Sequence, residues 1–119
     1  MKKEELNIKM INYFPSLKDK YDDEVGWQEG DKTGSHTVYG DVLTPYLVEK
    51  INQDDKKEVT NIFNFLEEIF MLNDEYANDV LTVSVLESIL SLIKENMELV
   101  KCMGTKSKTI VKRLLDSNI

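Results

Sequence analysis

The sequence predicts an all-α fold, and two observations carry that prediction. Its long apolar patterns recur every three to four residues, and side chains that cap helices stand at the boundaries of the best of them. No strand pattern competes, since Val83-Ser84-Val85 alternates only briefly inside a longer helical period. The chain has 119 residues, the length of one domain, enough to bury most of the apolar surface its unfolded form would expose. We therefore expect a single helical domain over residues 1–119, five or six helices in an irregular bundle. A stack of antiparallel helix pairs is the alternative, although no sequence repeat supports it.

The first segment places Leu6, Ile8, Met10, Ile11 and Phe14 ahead of Pro15, which reads as a short amphipathic helix stopped by proline and anchored by Tyr13 and Phe14. A turn of helix follows at Ser16 to Asp22. Residues 26–36 hold Gly26, Gly30, Thr33, Gly34 and Ser35, a density of breakers that predicts the longest loop. From Val38 the stripe Val38, Tyr39, Val42, Leu43, Tyr46, Leu47 and Ile51 is helical and is crossed by Pro45. Either the helix kinks there, or Thr44 caps a new helix with Pro45 in its first position. Asp55 and Glu58 form a capping-box arrangement ahead of Val59, Ile62, Phe63, Leu66, Ile69 and Phe70.

Asn73-Asp74 closes that helix and caps the next. There Tyr76, Val80, Val83, Leu86, Leu90 and Ile93 make one stripe, and Leu81, Val85, Ile89 and Leu92 make a second. A helix apolar on two faces packs on two sides, so this is the expected central helix, with a break at Glu95-Asn96. Gly104 suits the left-handed position after a helix end, and Thr105 suits the cap of a last helix with Ile110, Val111, Leu114 and Leu115 on its apolar face.

Composition narrows the function classes. The apolar run Leu81 to Ile93 covers 13 residues and contains Glu87, short of the roughly 20 that cross a bilayer, so it reads as a buried helix. The N-terminal Met1-Lys2-Lys3-Glu4-Glu5 has neither the apolar core nor the cleavage site of a signal peptide, and the single Cys102 cannot form an internal disulfide; both lead us to expect a cytoplasmic protein. Lysine outnumbers arginine 14 to 1, and asparagine and isoleucine each occur nine times, a bias expected of an AT-rich bacterial genome. The net charge of −7 is divided into −11 over residues 1–100 and +4 over residues 101–119. An acidic body repels nucleic acid and attracts a basic protein, and with no spanning stretch we expect no membrane contact.

Catalytic constellations are scarce. His36 is the only histidine, which removes zinc sites built on histidine pairs and Cys-His dyads; in its loop it reads as a solvated imidazole. Cys102 reads as core. The acid clusters lack the glycine and glutamate positions of a calcium loop, and Glu67 and Glu68 diverge by about 100° on their helix. We expect no enzyme, no metal and no cofactor. The bases Lys101, Lys106, Lys108, Lys112 and Arg113 come without an aromatic residue for base stacking, and read as partners of the acidic body and of the last helix's C-terminal dipole.

The segment Asp19 to Asp31 is where binding chemistry concentrates. It sets six acids, Asp19, Asp22, Asp23, Glu24, Glu29 and Asp31, against Lys20, and interleaves them with Tyr21 and Trp27. Tryptophan and tyrosine often dominate binding energy, and the carboxylates would steer a basic partner. The alternative is that Trp27 tucks the loop onto the helices. A second acidic cluster, Asp74, Glu75 and Asp79, is the next candidate face.

The stretches Phe63-Asn64-Phe65-Leu66-Glu67-Glu68-Ile69 and Val83-Ser84-Val85-Leu86-Glu87-Ser88-Ile89, with Tyr13-Phe14-Pro15, resemble those of a family of small bacterial helical proteins. Its members are similar in size and acidity to the immunity proteins that neutralise polymorphic toxins. That resemblance implies an antitoxin that binds one basic toxin domain and blocks it. A generic helical adaptor without a toxin partner is the competing expectation.

Overall fold

The computed structural model describes residues 1–117 and is all-α. Six α-helices carry it: α1 (Lys3–Tyr13), α2 (Lys18–Gly26), α3 (35–52), α4 (Lys56–Phe70), α5 (Glu75–Glu95) and α6 (Thr105–Ser117). The 3-10 helix Met97–Cys102 brings the number to seven among the described residues, above the five or six expected. Short 3-10 turns, Pro15–Leu17 and Gly30–Lys32, lead into α2 and follow it. The predicted long loop shrinks accordingly, because Gly26 still belongs to α2, and Ser35 and His36 already belong to α3.

α5 is the central helix, as its two apolar stripes require. Ala77, Val80, Leu81, Val85, Leu86, Ile89 and Ile93 are fully buried, with α3, α4 and α6 packed around them. By its 21 residues and its apolar content α5 matches a membrane span, longer than the 13-residue run suggested, but those side chains form the core of this fold. Val83 departs from its stripe and is exposed. The reason is a wide π turn at Leu81–Leu86, which adds a residue to the turn and rotates Val83 outward, before a tight 3-10 turn at Glu87–Ile89 restores the register.

A second π turn, Tyr39–Leu43, lies in α3 and explains Pro45. A proline ring in a helix collides with the carbonyl four residues back, here that of Asp41, and the wide turn displaces that carbonyl. The helix therefore continues through Pro45 instead of starting anew. Thr44 is no cap; its hydroxyl donates to the Ser84 carbonyl at 2.7 Å, tying the two π turns together.

Aromatic packing joins α1, α3 and α4. Phe65 lies 4.9 Å from Tyr13, 5.3 Å from Phe14 and 6.4 Å from Tyr39 by ring centroids, in tilted, edge-on and stacked arrangements respectively. The Tyr39 hydroxyl donates to the Leu6 carbonyl at 2.6 Å, and burial pushes its pKa far above the usual phenol range.

Helix ends show where local chemistry decided the structure. Asp55 accepts from the Glu58 N–H at 3.2 Å and Asp74 from the Ala77 N–H at 2.9 Å, as their sequence positions required. Glu58 does not complete the box: its carboxylate takes the Tyr46 hydroxyl and the Asn61 amide instead. α6 differs more. Its first N–H groups, those of Lys106 and Ser107, donate to the Glu67 carboxylate of α4 at 3.0 and 3.4 Å, so a distant glutamate caps it in place of Thr105. Gly104 does not take the left-handed conformation; it is needed because an added Cβ would stand 2.5 Å from that carboxylate. The last turn of α6 holds no base, so its dipole is not complemented as expected, and of the five bases over residues 101–113 only Lys101 pairs with an acid among the described residues, the neighbouring Glu98 at 2.9 Å.

The cap makes a quantitative prediction. Gly104→Ala and Glu67→Gln should each cost about 1–2 kcal/mol, the usual worth of a helix cap, and the double variant should cost little more than either. Chemical denaturation of the four proteins checks this, because strict additivity would mean that the two residues act separately.

Candidate functional site

α2 is built to have one wet face and one dry one. Tyr21 and Val25, four residues apart, turn into the core behind Leu17, while Asp19, Asp22 and Asp23 fall at the i, i+3, i+4 spacing of the opposite face and are exposed. Trp27 is the C-cap residue, with φ −85° and ψ −12°, so it prolongs the helical register. Asp19, Asp23 and Trp27 thereby stand one above another on a single stripe. Trp27 is 87% exposed and does not fold its loop onto the helices.

Lys18 crosses this face to pair with Asp22 four residues on, an exposed bridge of little energetic weight, and its ammonium lies 5.9 Å from the Tyr21 ring centroid.

The segment after Trp27 is held from below. Asn7 of α1 is wholly buried; its amide donates to the Thr33 carbonyl at 2.8 Å and its Oδ1 stands 2.8 Å from the Ser35 hydroxyl. The Thr33 hydroxyl donates to the Gly30 carbonyl at 2.7 Å and accepts from the Glu29 N–H at 3.1 Å. Gly30 takes φ +62°, a conformation glycine adopts without strain, and this closes the turn. Tyr21 donates to Asp31 at 2.8 Å. Burial, then the Asp31 carboxylate, push the Tyr21 phenol well above its usual range. Of the residues singled out in the sequence, then, Asp19, Asp22, Asp23, Trp27 and the exposed Glu29 are available to a partner, whereas Tyr21 and Asp31 brace them.

Glu24 is half-buried and meets a residue the sequence did not single out, Asp41 of α3. Burial, then the charge and hydrogen bond of Asp41, raise the Glu24 pKa. Asp41 sits in the π turn of α3, and sequence periodicity carries no signal that this turn swings it towards α2.

The second acidic cluster is largely committed to structure. Asp74 caps α5 and binds the Met1 amino group, whose hydrogen bond holds its carboxyl below the usual range. Asp79 lies 3.1 Å from His36 Nε2, and His36 Nδ1 is 2.8 Å from the Ser84 hydroxyl. His36 is thus no freely solvated imidazole: it ties α3 to α5, edge-on to Tyr76 at 6.2 Å. The Ser84–His36–Asp79 chain contains the groups of a hydrolytic triad. Yet Ser84 sits within the π turn, where peptide N–H groups run along the helix axis and are not gathered into an oxyanion hole. Glu75, the remaining member of this cluster, is exposed.

A cleft of about 870 Å³ opens where α3 meets α4 and is lined by Tyr46, Lys50, Glu58 and Asn61 among others. Part of its lining is tied together: Tyr46 and Asn61 both donate to Glu58, and burial with that carboxylate pushes the Tyr46 phenol up to about 12.

The Glu24–Asp41 contact gives a pH prediction with a definite sign. A carboxyl whose folded pKa lies above its unfolded one costs stability once pH passes the unfolded value of about 4.3, and costs nothing when both states are protonated. Glu24→Gln should therefore raise the melting temperature at pH 7 and lose that advantage by pH 4. Thermal melts at the two pH values check it; a gain that persists at pH 4 would refute the carboxyl pair.

No curated protein matches the chain, and no solved structure does. A family model described as a domain of unknown function, DUF7674, matches residues 8–117, which takes in all six helices apart from the first residues of α1. The chain belongs to that family.

Proposed function

We propose that this protein acts by binding another protein through the exposed face of α2, and that it is a cytoplasmic immunity protein whose acidic face covers a basic toxin domain. The observation that carries the reading is Trp27, 87% exposed at the end of a stripe of carboxylates. A tryptophan offers roughly 200 Å² of surface, so leaving it in water forgoes about 5 kcal/mol of burial, which a partner can recover. Asp19, Asp22 and Asp23 beside it supply the field that steers a basic surface into contact. Bracing of the following segment by Asn7 presents this face already ordered, which lowers the entropy lost on binding. A helical adaptor is the second reading, favoured by the exposed Met71 and Leu72 at the end of α4, where Leu72 lines a cleft of about 460 Å³ with Lys9 and Glu68.

Co-expression with the product of the reading frame adjacent to its own tests the toxin reading: a toxic neighbour that is bound one-to-one and silenced supports it, and a harmless or unbound neighbour contradicts it. With that partner, charge reversal of Asp19, Asp22 and Asp23 to lysine should slow association about tenfold and flatten its salt dependence. Trp27→Ala should raise the dissociation rate about tenfold or more while leaving the melting temperature unchanged. Unaltered rates in both variants, measured by surface plasmon resonance, would exclude this face.

A further inference from the structure

We propose that the cleft between α4, α5 and α6 is a binding site for a small organic anion with an apolar body. It measures about 570 Å³, within the range of small-molecule sites, and lies apart from the α2 face. Phe70 of α4 and Ile110 of α6 supply its apolar surface, and Lys106 and Arg113 of α6 supply charge. These two cations stand seven residues apart, hence on the same side of α6 and about 10 Å from one another along its axis.

Three features of the cleft bear on this assignment. The first is that neither cation has an acidic partner among the described residues, in a body that carries −11 over residues 1–100. Glu67 is the nearest candidate by connection, but its carboxylate is spent on the Lys106 and Ser107 backbone N–H groups. A second feature is the pair of hydroxyls, Thr82 and Thr105, which line the cleft and donate to no protein acceptor among the described residues. Together with the cations they form a set of donors awaiting an acceptor, the complement of a phosphate or carboxylate.

The third is unmet polarity at the same corner. Among the described residues the buried side-chain atoms without a hydrogen-bond partner are Asn78 Oδ1 and Ser107 Oγ. Asn78 lines the cleft, and Ser107 follows Lys106 on α6 and is fully buried. Buried polar atoms are nearly always paired, so the orphan Asn78 Oδ1 marks a polar group of the cleft lining that lacks its partner, while Ser107 is not part of that lining. That orphan is an acceptor, which a donor on the ligand would satisfy.

Amide NMR of the whole protein titrated with phenyl phosphate tests the proposal, with inorganic phosphate and phenol as the head-group and body arms. Saturable shifts at Asn78, Thr82 and Thr109 are expected, at concentrations about tenfold below those either arm requires. Lys106→Gln with Arg113→Gln should weaken binding about tenfold or more, whereas Lys108→Gln with Lys112→Gln, the same charge change at positions of α6 that do not line the cleft, should alter it less than about twofold. Absence of saturation, equal weakening by the two double variants, or phosphate binding as tightly as phenyl phosphate would overturn the assignment. Tighter binding of an acidic peptide than of phenyl phosphate would also overturn it, by making the cleft a socket for a protein side chain.

Discussion

The buried amide of Asn7 is the constraint on which the binding face depends. A carboxamide sealed in a core without partners costs several kcal/mol, so its bonds to Thr33 and Ser35 are obligatory once α1 packs. They fix the start of α3 and the end of the glycine-rich segment against α1. Between those fixed points and α2 only a few residues remain, and Gly30, Thr33 and the Tyr21–Asp31 bond close them into one turn. With its neighbours so held, Trp27 has no slack with which to fold back onto the helices. Its exposure follows from packing elsewhere.

A comparable economy governs the centre of the molecule. α5 must bury two faces, and α3 must carry Pro45; each contains a π turn, and the turns face each other. The Thr44 hydroxyl meets the Ser84 carbonyl there, and the helices approach closely enough that a Cβ added at Gly40 would be in ordinary contact with Ser84 Cβ, at 3.8 Å. The π turn of α3 thus accommodates a proline and swings Asp41 towards Glu24, and that of α5 turns Val83 to solvent. The acidic face gains a carboxyl from a helix that contributes nothing else to it.

Much of this was legible in the sequence, for identifiable reasons. The apolar periods located α1, α4 and α5, and Asp55 and Asp74 cap where their position before an apolar run required, because capping is decided within four residues. What escaped the reading was decided at long range. Nothing local in the sequence connects Glu67 with the start of α6, 39 residues away, so Gly104 and Thr105 received a local explanation that the structure replaces. His36 looked solvated for the same reason, its partners Asp79 and Ser84 lying more than 40 residues on. In the candidate face the acids and Trp27 were visible as composition. Which of them bear on solvent depended on burying Tyr21, and the period of a nine-residue helix with two apolar positions is too short to reveal that alone.

The account stands on a tryptophan that is both exposed and surrounded by negative charge. Trp27 is the only tryptophan in the chain, so its fluorescence reports this face alone. The decisive measurement is quenching of that fluorescence by caesium and by iodide at matched ionic strength. Efficient quenching by caesium, with iodide markedly weaker because the carboxylates repel it, is the predicted result. Blue-shifted emission that neither ion quenches, or equal quenching by both, would contradict it.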